Sequence, residues 1–151
     1  LILDGGPAQV GLESTIIDCT GDAPKILRPG AITQAMIEEV TGLKVTDAVH
    51  EIRVSGSLEN HYAPEATVVL DTTPQSGDGY IAMSDKTTPA GVIRLAAPQS
   101  IEEYARILYA SLRDGDSQKL TRICIDQPQG DGLAIAICDR LQRAARGHGI
   151  R

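Results

Sequence analysis

The sequence predicts an α/β fold, and two observations lead to that prediction. The last part of the chain alternates short runs of apolar, β-branched residues with two longer segments whose apolar residues recur at helical spacing. Strands and helices that alternate in this way favour a layered domain with a largely parallel sheet. The first part of the chain adds strand-like segments between glycine-rich turns and one short capped helix.

The first part of the chain contains two predicted strands. The central strand covers residues 12–19, and its run Ser14-Thr15-Ile16-Ile17 is short, apolar and rich in β-branched residues, as in a buried strand. A second strand, Lys25-Ile26-Leu27-Arg28, follows the turn at Gly21-Asp22. The chain then turns again at Pro29-Gly30, which fixes the backbone beside Arg28.

Three helices are predicted from apolar residues at helical spacing, over 34–41, 101–113 and about 132–146. The first has an apolar stripe made of Met36, Ile37 and Val40. Capping residues mark the ends of the first two helices: Thr33 and Gly42 for the first, and Ser100, Glu103 and Gly115 for the second.

The later strands are predicted over 67–70, 79–83, 91–95 and 121–126. From residue 44 to about 66 the pattern weakens, with one possible short strand between Val45 and Val54. A stretch of about 20 residues without firm structure is usually a linker or a functional segment.

Composition limits the classes of function. The 151 residues are 42% hydrophobic and 23% charged, with a formal net charge of −6. An acidic chain is a poor candidate for tight nucleic-acid binding, which requires clustered Lys and Arg. No apolar run approaches the roughly 18 residues of a membrane span, so we expect no membrane association and a cytoplasmic location.

The hydroxyls of Ser14 and Thr15 are unusual in a buried-type strand, because a buried hydroxyl needs a hydrogen-bond partner. Arg28, fixed by the turn that follows, has a planar guanidinium suited to bidentate capture of phosphate or carboxylate. Together these residues suggest one anion-binding pocket on paired strands. The alternative is that backbone groups satisfy the hydroxyls and that Arg28 is a surface residue.

Three sets of motifs resemble the threonylcarbamoyl-AMP synthases, and they occur in the order found in that family. The first resembles the end of the YrdC-type domain, the second resembles the interdomain linker, and the third resembles the small Sua-type C-terminal domain. They are Asp4-Gly5-Gly6-Pro7 with Val10-Gly11-Leu12-Glu13-Ser14-Thr15-Ile16-Ile17-Asp18 and Ile26-Leu27-Arg28-Pro29-Gly30; His61-Tyr62-Ala63-Pro64; and Leu108-Tyr109-Ala110-Ser111-Leu112-Arg113 with Asp139-Arg140-Leu141-Gln142-Arg143.

The resemblance implies a division into three parts: residues 1–46 as the last part of a YrdC-like α/β domain, 47–66 as a linker, and 67–151 as a three-layer Rossmann-like α/β domain. It also implies the reaction of threonine, bicarbonate and ATP, usually with Mg²⁺, to threonylcarbamoyl-AMP and pyrophosphate, for tRNA modification. By motif match, Ser14 would contact threonine and Arg28 the nucleotide phosphates. Tyr62, with His61 beside it, would lie in a linker that closes over the ATP site.

Two interpretations from different classes stay open. In the first, the chain is the C-terminal portion of a two-domain synthase and is inactive alone, because relatives carry Lys-x-Arg and Ser-x-Asn motifs upstream of the segment that begins at Gly11. In the second, residues 67–151 form a non-catalytic module that binds a nucleotide, a regulator or a partner. No metal ligands are predicted within the chain, and the oligomeric state is left open.

Overall fold

The computed structural model describes residues 1–6, 8–47 and 64–146. Within these residues the chain forms seven strands and three helices. In chain order they are β1 (Ile16–Asp18), β2 (Lys25–Arg28), α1 (Gln34–Thr41), β3 (Thr46–Asp47), β4 (Thr67–Leu70), β5 (Gly79–Ile81), β6 (Ile93–Ala96), α2 (Ile101–Ser117), β7 (Arg122–Ile125) and α3 (Leu133–Arg146).

A parallel four-stranded sheet with the order β4-β7-β5-β6 forms the larger unit. On one face, apolar side chains of β4, β5 and β7 join those of α2 and α3 in the main core, whose fully buried members include Ile123, Ile125, Leu108 and Ile137. The other face carries a smaller cluster centred on Tyr80 and Cys124. The predicted α/β class is confirmed: helices flank a parallel sheet, which is consistent with a three-layer α/β domain.

The prediction that Gly115 ends the second helix is wrong. Helix α2 continues to Ser117, and Gly115 is a buried residue inside it. A Cβ at this position would lie 2.5 Å from Ile123 Cδ1 and 3.3 Å from Leu95 Cδ1. Glycine is therefore needed here for close packing of the helix on the sheet, and it does not act as a cap.

The first part of the chain forms a small mixed sheet. Strand β1 pairs antiparallel with β2, and β2 pairs parallel with β3. Helix α1 has the predicted bounds because its caps are in place: Thr33 Oγ1 accepts from Met36 N at 3.3 Å, and Gly42 has φ +68°.

The apolar stripe predicted on α1 is buried only in part. Ile37 is 6% exposed, whereas Met36 is 49% and Val40 86% exposed. Of the three side chains, only Ile37 is buried. Leu1, Ile2 and Leu3 are also exposed, so the first part of the chain presents much apolar surface.

The two parts of the chain are packed against each other. Gly11, with φ +81°, lies so close to α2 that a Cβ would be 2.4 Å from Arg106 Cα. Leu12, the next residue, packs against the main core. Strand β1 begins at Ile16, shortly after these two residues. The boundaries 1–46, 47–66 and 67–151 remain predictions, and residues 48–63 of the predicted linker lie outside the described residues.

Candidate functional site

Ser14 and Arg28 lie side by side. The strand predicted over residues 12–19 covers only Ile16–Asp18, so Ser14 lies in the segment just before β1, whose first residue Ile16 pairs with Arg28. Arg28 Nε donates to the Ser14 carbonyl oxygen at 3.0 Å, and Nη2 donates to Ser14 Oγ at 3.2 Å. Arg28 is 8% exposed, whereas Ser14 is exposed. Since the guanidinium donates to Oγ, the Ser14 hydroxyl accepts there and keeps its own proton to donate elsewhere.

Thr15 does not share this arrangement. Its Oγ1 donates to the Ile32 carbonyl oxygen at 2.8 Å and accepts from Ile32 N at 3.1 Å. The Thr15 hydroxyl is therefore satisfied by backbone, and the expectation that it lines an anion pocket with Ser14 is wrong. Its two bonds hold the loop after β2 against the segment before β1 that carries Ser14.

Glycine at position 30 permits this close approach. A Cβ there would lie 2.4 Å from Thr15 N and 2.8 Å from the Glu13 carbonyl oxygen. Both are backbone atoms, which cannot be moved aside by a rotamer change. The Pro29-Gly30 turn, predicted as a means to orient Arg28, also packs directly on residues 13–15.

Glu13, the residue before Ser14, is bound by side chains of α2 and α3. Arg140 Nε donates to Glu13 Oε2 at 2.6 Å, and the Tyr109 hydroxyl lies 2.9 and 3.0 Å from the two carboxylate oxygens. Arg140 also donates to Asp139, which pairs with Arg143 through two contacts of 2.9 Å. We call these five residues the Glu13 cluster: Glu13, Tyr109, Asp139, Arg140 and Arg143.

Burial and hydrogen bonding shift the pKa values in the Glu13 cluster. Burial alone would raise the pKa of Glu13, but the hydrogen bonds that it accepts, chiefly from Arg140, hold that pKa below its usual 4.5. Burial and the bond to Glu13 raise the pKa of Tyr109. Glu13 is therefore ionised and Tyr109 neutral near pH 7, so the Arg140–Glu13 contact is a true ion pair.

The sequence did not single out Glu13, Tyr109 or Arg140 as functional residues. All three lie in the motifs that carry the family resemblance. Glu13 and Arg140 are separated by 127 positions, however, and no local pattern indicates that they meet.

His61 and Tyr62 lie outside the described residues, so their roles remain predictions. The described residues hold no group of three or more His, Cys, Asp or Glu side chains able to bind a metal ion such as Mg²⁺. We assign no Mg²⁺ ligand to them.

A second polar site is a cleft of about 640 Å³ at the carboxyl ends of β4, β5 and β7. In open α/β sheets this edge is the usual place for ligands. Asp71, Lys86 and Asp126 are among its lining residues. Arg94 fixes one wall, since its Nη2 donates to the carbonyl oxygens of Ala82 and Met83 at 2.8 Å each.

Gln127 gives this cleft an unusual polar group. Its Nε2 donates to Asp71 Oδ2 at 2.6 Å, which fixes the orientation of the amide because a carboxylate can only accept. Its Oε1 is buried and has no hydrogen-bond partner among the described residues. Nearby, burial and the bond to Asp126 raise the pKa of Tyr80 to about 12, so this tyrosine is a neutral donor.

Together these features define an α/β protein in which the two helices of a parallel sheet hold the segment before β1, where Ser14 pairs with Arg28 of β2. The family model described as "Threonylcarbamoyl-AMP synthase, C-terminal domain" matches residues 32–146. The chain belongs to this family, and the resemblance seen in its motifs is confirmed.

Relatives with known names agree with this assignment. The threonylcarbamoyl-AMP synthase of Bacillus subtilis is 32% identical over 99% of this chain and 50% of its own length. That of Pyrococcus abyssi is 30% identical over 95% of this chain and 48% of its own length. The chain thus spans about half the length of the curated relatives it matches.

Solved structures show the same fold. A crystal structure of P. abyssi Sua5 complexed with L-threonine has a TM-score of 0.75 and 30% identity to this chain. The match covers 95% of this chain and 48% of the Sua5 chain. A P. abyssi Sua5 variant with alanine in place of a histidine and of the tyrosine that follows it matches with a TM-score of 0.74 and 28% identity.

Among the described residues, no helix is both long and apolar enough to cross a membrane.

Proposed function

We propose that this chain forms part of a threonylcarbamoyl-AMP synthase, a nucleotidyltransferase of the cytoplasm. The whole enzyme would condense L-threonine, bicarbonate and ATP to threonylcarbamoyl-AMP and pyrophosphate, for the modification of a tRNA adenosine. The observation that carries the proposal is the Ser14–Arg28 pair, found in a chain of this family. Because the chain spans about half of its relatives, the activity is proposed for the longer protein that contains this sequence.

Ser14 is the proposed threonine contact. Its hydroxyl accepts from Arg28, which leaves its proton to donate to an oxygen of the amino acid. Its exposed position gives a ligand access. The P. abyssi relative is a protein solved with L-threonine, which supports threonine as the ligand class.

Arg28 has two proposed roles. It orients Ser14 through the two hydrogen bonds already described, and it contacts the nucleotide phosphates. A planar guanidinium suits phosphate, and the contacts with Ser14 would fix the plane in which its other N–H groups lie. Such chemistry depends on positioning and on neutralisation of charge more than on a covalent nucleophile.

Tyr62 and His61 are proposed to close over the nucleotide from the linker, residues 47–66. The sequence contains one consecutive His-Tyr pair, and a consecutive His-Tyr pair is what the P. abyssi variant replaces. A cover over the site would keep water away from a carbamate or mixed anhydride intermediate, which would otherwise hydrolyse. Mg²⁺ would accompany the ATP phosphates, as the family resemblance implies.

The test is steady-state pyrophosphate release by the full-length protein, with threonine, bicarbonate and ATP as substrates. Ser14→Ala should raise KM for threonine, and Arg28→Lys should lower ATP affinity or rate, each by roughly ten- to a hundredfold for one lost charge-assisted hydrogen bond. Matched controls are Ser117→Ala and Arg113→Lys, at exposed positions of α2. Unchanged kinetics in Ser14→Ala and Arg28→Lys would contradict the assigned roles, and absence of pyrophosphate release by the unmodified protein would contradict the proposed function.

A second candidate function is binding of a small regulator in the cleft at the carboxyl edge of the parallel sheet. The orphaned Gln127 Oε1 favours it, because a buried acceptor without a donor costs about 1–3 kcal/mol. A ligand with N–H or ammonium donors would satisfy that oxygen beside Asp71 and Asp126.

This alternative is tested by calorimetric titration of ATP and of L-threonine into the full-length protein. Binding that is lost in Gln127→Leu and kept in Ser14→Ala would favour the cleft. The opposite pattern would favour the Ser14 site.

A further inference from the structure

Arg140 closes a path of contacts that connects the two proposed site residues, Ser14 and Arg28. Arg140 Nε donates to Glu13 Oε2 at 2.6 Å, and Nη2 donates to the Pro29 carbonyl oxygen at 3.0 Å. Glu13 is bonded covalently to Ser14, and Pro29 to Arg28. Because Arg28 in turn donates twice to Ser14, one arginine of α3 holds the two neighbours of the proposed site residues.

We propose that Arg140 is a positioning residue for the threonine site, acting through Glu13 and Pro29 on Ser14 and Arg28. This inference rests on the proposed function and extends it, since it assigns a task to the C-terminal part of the chain. Arg140 itself does not touch the reacting groups. It fixes the separation and orientation of the two segments that carry them, one just before β1 and the other at the end of β2.

The chemistry of the position supports a specific orienting role. The Arg140 side chain is 3% exposed, so each of its N–H groups needs an acceptor within the protein. It has acceptors in three directions: Glu13, Pro29 and Asp139. A planar guanidinium can serve three such acceptors at once, whereas the ammonium of lysine is a point charge on a flexible stem.

Other members of the Glu13 cluster fix Arg140 in turn. Asp139 is held by Arg143 through a bidentate pair, with both contacts at 2.9 Å. Tyr109 of α2 holds the carboxylate of Glu13 from another side. The carboxylate is thus fixed by two helices, and a side chain fixed in this way can position the residue next to it.

The experiment is a double-mutant cycle in the full-length protein, measured as KM for threonine and kcat. Arg140→Gln should raise KM for threonine about tenfold, and in the Ser14→Ala background the same substitution should change it less than about twofold. Such coupling is the result expected if Arg140 acts through Ser14. If Arg140→Gln caused only a general loss of structure, the fold changes in KM caused by the two substitutions would instead multiply in the double mutant.

Arg146→Gln is the matched control, because Arg146 is an exposed arginine of the same helix and donates to none of Glu13, Pro29 and Asp139 in the described part of the chain. It should leave KM for threonine within about twofold of the unmodified value. If Arg140→Gln does not fold, Glu13→Gln carries the test, since Glu13 is 32% exposed and the substitution is isosteric.

The outcomes separate the two proposals. The positioning role alone would be overturned if the unmodified protein releases pyrophosphate but the effects of Arg140→Gln and Ser14→Ala on KM are fully additive in free energy. The same holds for Glu13→Gln and Ser14→Ala where Glu13→Gln replaces Arg140→Gln. No pyrophosphate release in the unmodified protein would overturn the proposed function.

Discussion

Gly30→Ala is expected to separate the loop after β2 from the segment before β1 that carries Ser14. The new Cβ would lie 2.4 Å from Thr15 N, 2.7 Å from Thr15 Oγ1 and 2.8 Å from the Glu13 carbonyl oxygen. Ordinary contacts of this kind are about 3.5 Å, so the loop must move by about 1 Å. A shift of that size would break the two hydrogen bonds between Thr15 Oγ1 and Ile32, now 2.8 and 3.1 Å long.

The magnitude follows from these contacts. Two hydrogen bonds at about 1 kcal/mol each, together with some of the 1–3 kcal/mol that overpacking typically costs, give a loss of roughly 2–4 kcal/mol in the free energy of unfolding. The same shift would draw Pro29 away from Arg140 and Arg28 away from Ser14. We therefore expect KM for threonine in the full-length protein to rise as well.

The assay is urea unfolding of residues 1–151, followed by kinetics of the full-length variant. Gly21→Ala is the matched control, because the nearest atom to its Cβ is 4.0 Å away and its φ is not in the left-handed region. That substitution should change stability by less than about 1 kcal/mol. If Gly30→Ala were as stable and as active as Gly21→Ala, the contact between the loop and the strand would not have the importance assigned to it.

Four further predictions follow from the same structure. Residues 1–151 alone should release no pyrophosphate from ATP, threonine and bicarbonate; release would refute this. Hydrogen exchange should be faster in residues 1–42, where Ile37 is the only buried Ile, Leu, Val or Met of the described part, than in 67–146; equal protection would count against it. The pKa of Glu13 in the folded protein is held below 4.5, so the stabilising effect of its carboxylate should be complete above about pH 4.5 and lost as the pH falls through that lowered pKa. The difference in thermal stability between the unmodified chain and Glu13→Gln should therefore decline as the pH falls through this range, and a difference that does not change with pH would contradict this. In the full-length protein, Tyr62→Ala should raise ATP hydrolysis relative to synthesis more than Tyr62→Phe does; equal behaviour of Tyr62→Ala and the unmodified protein would remove the covering role.

The parts of the fold that depend on local signals were predictable. The bounds of α1 are those expected, because a threonine N-cap and a left-handed glycine act within a few residues of the helix ends. Strand β4 likewise has the predicted range. The proximity of Ser14 and Arg28 followed from pairing β1 with β2 across a short turn, although Ser14 itself lies two residues before Ile16, the residue that pairs with Arg28.

The failures have tertiary causes. Gly115 resembles a helix stop in sequence, but its role is decided by Ile123 of β7 and Leu95 of β6, which pack against it from the sheet. Met36 looks like a core residue because periodicity shows which face of a helix is apolar and not what covers that face. The bond between Glu13 and Arg140 joins residues 127 positions apart, and a single sequence has no pattern that encodes such a contact.

The strand order has a consequence for folding kinetics. Strand β7 is the last strand among the described residues, yet it lies between β4 and β5. Strand β4 therefore has no backbone partner until Arg122 and the rest of β7 are available. Pairings this distant in sequence raise the contact order and slow folding, because the entropy of a long loop is lost before the strand contacts that stabilise the pairing can form. During synthesis on the ribosome, β4 must therefore stay unpaired until residues near 125 emerge. Helix α3, with Arg140, emerges later still, and Glu13 acquires its ion-pair partner last.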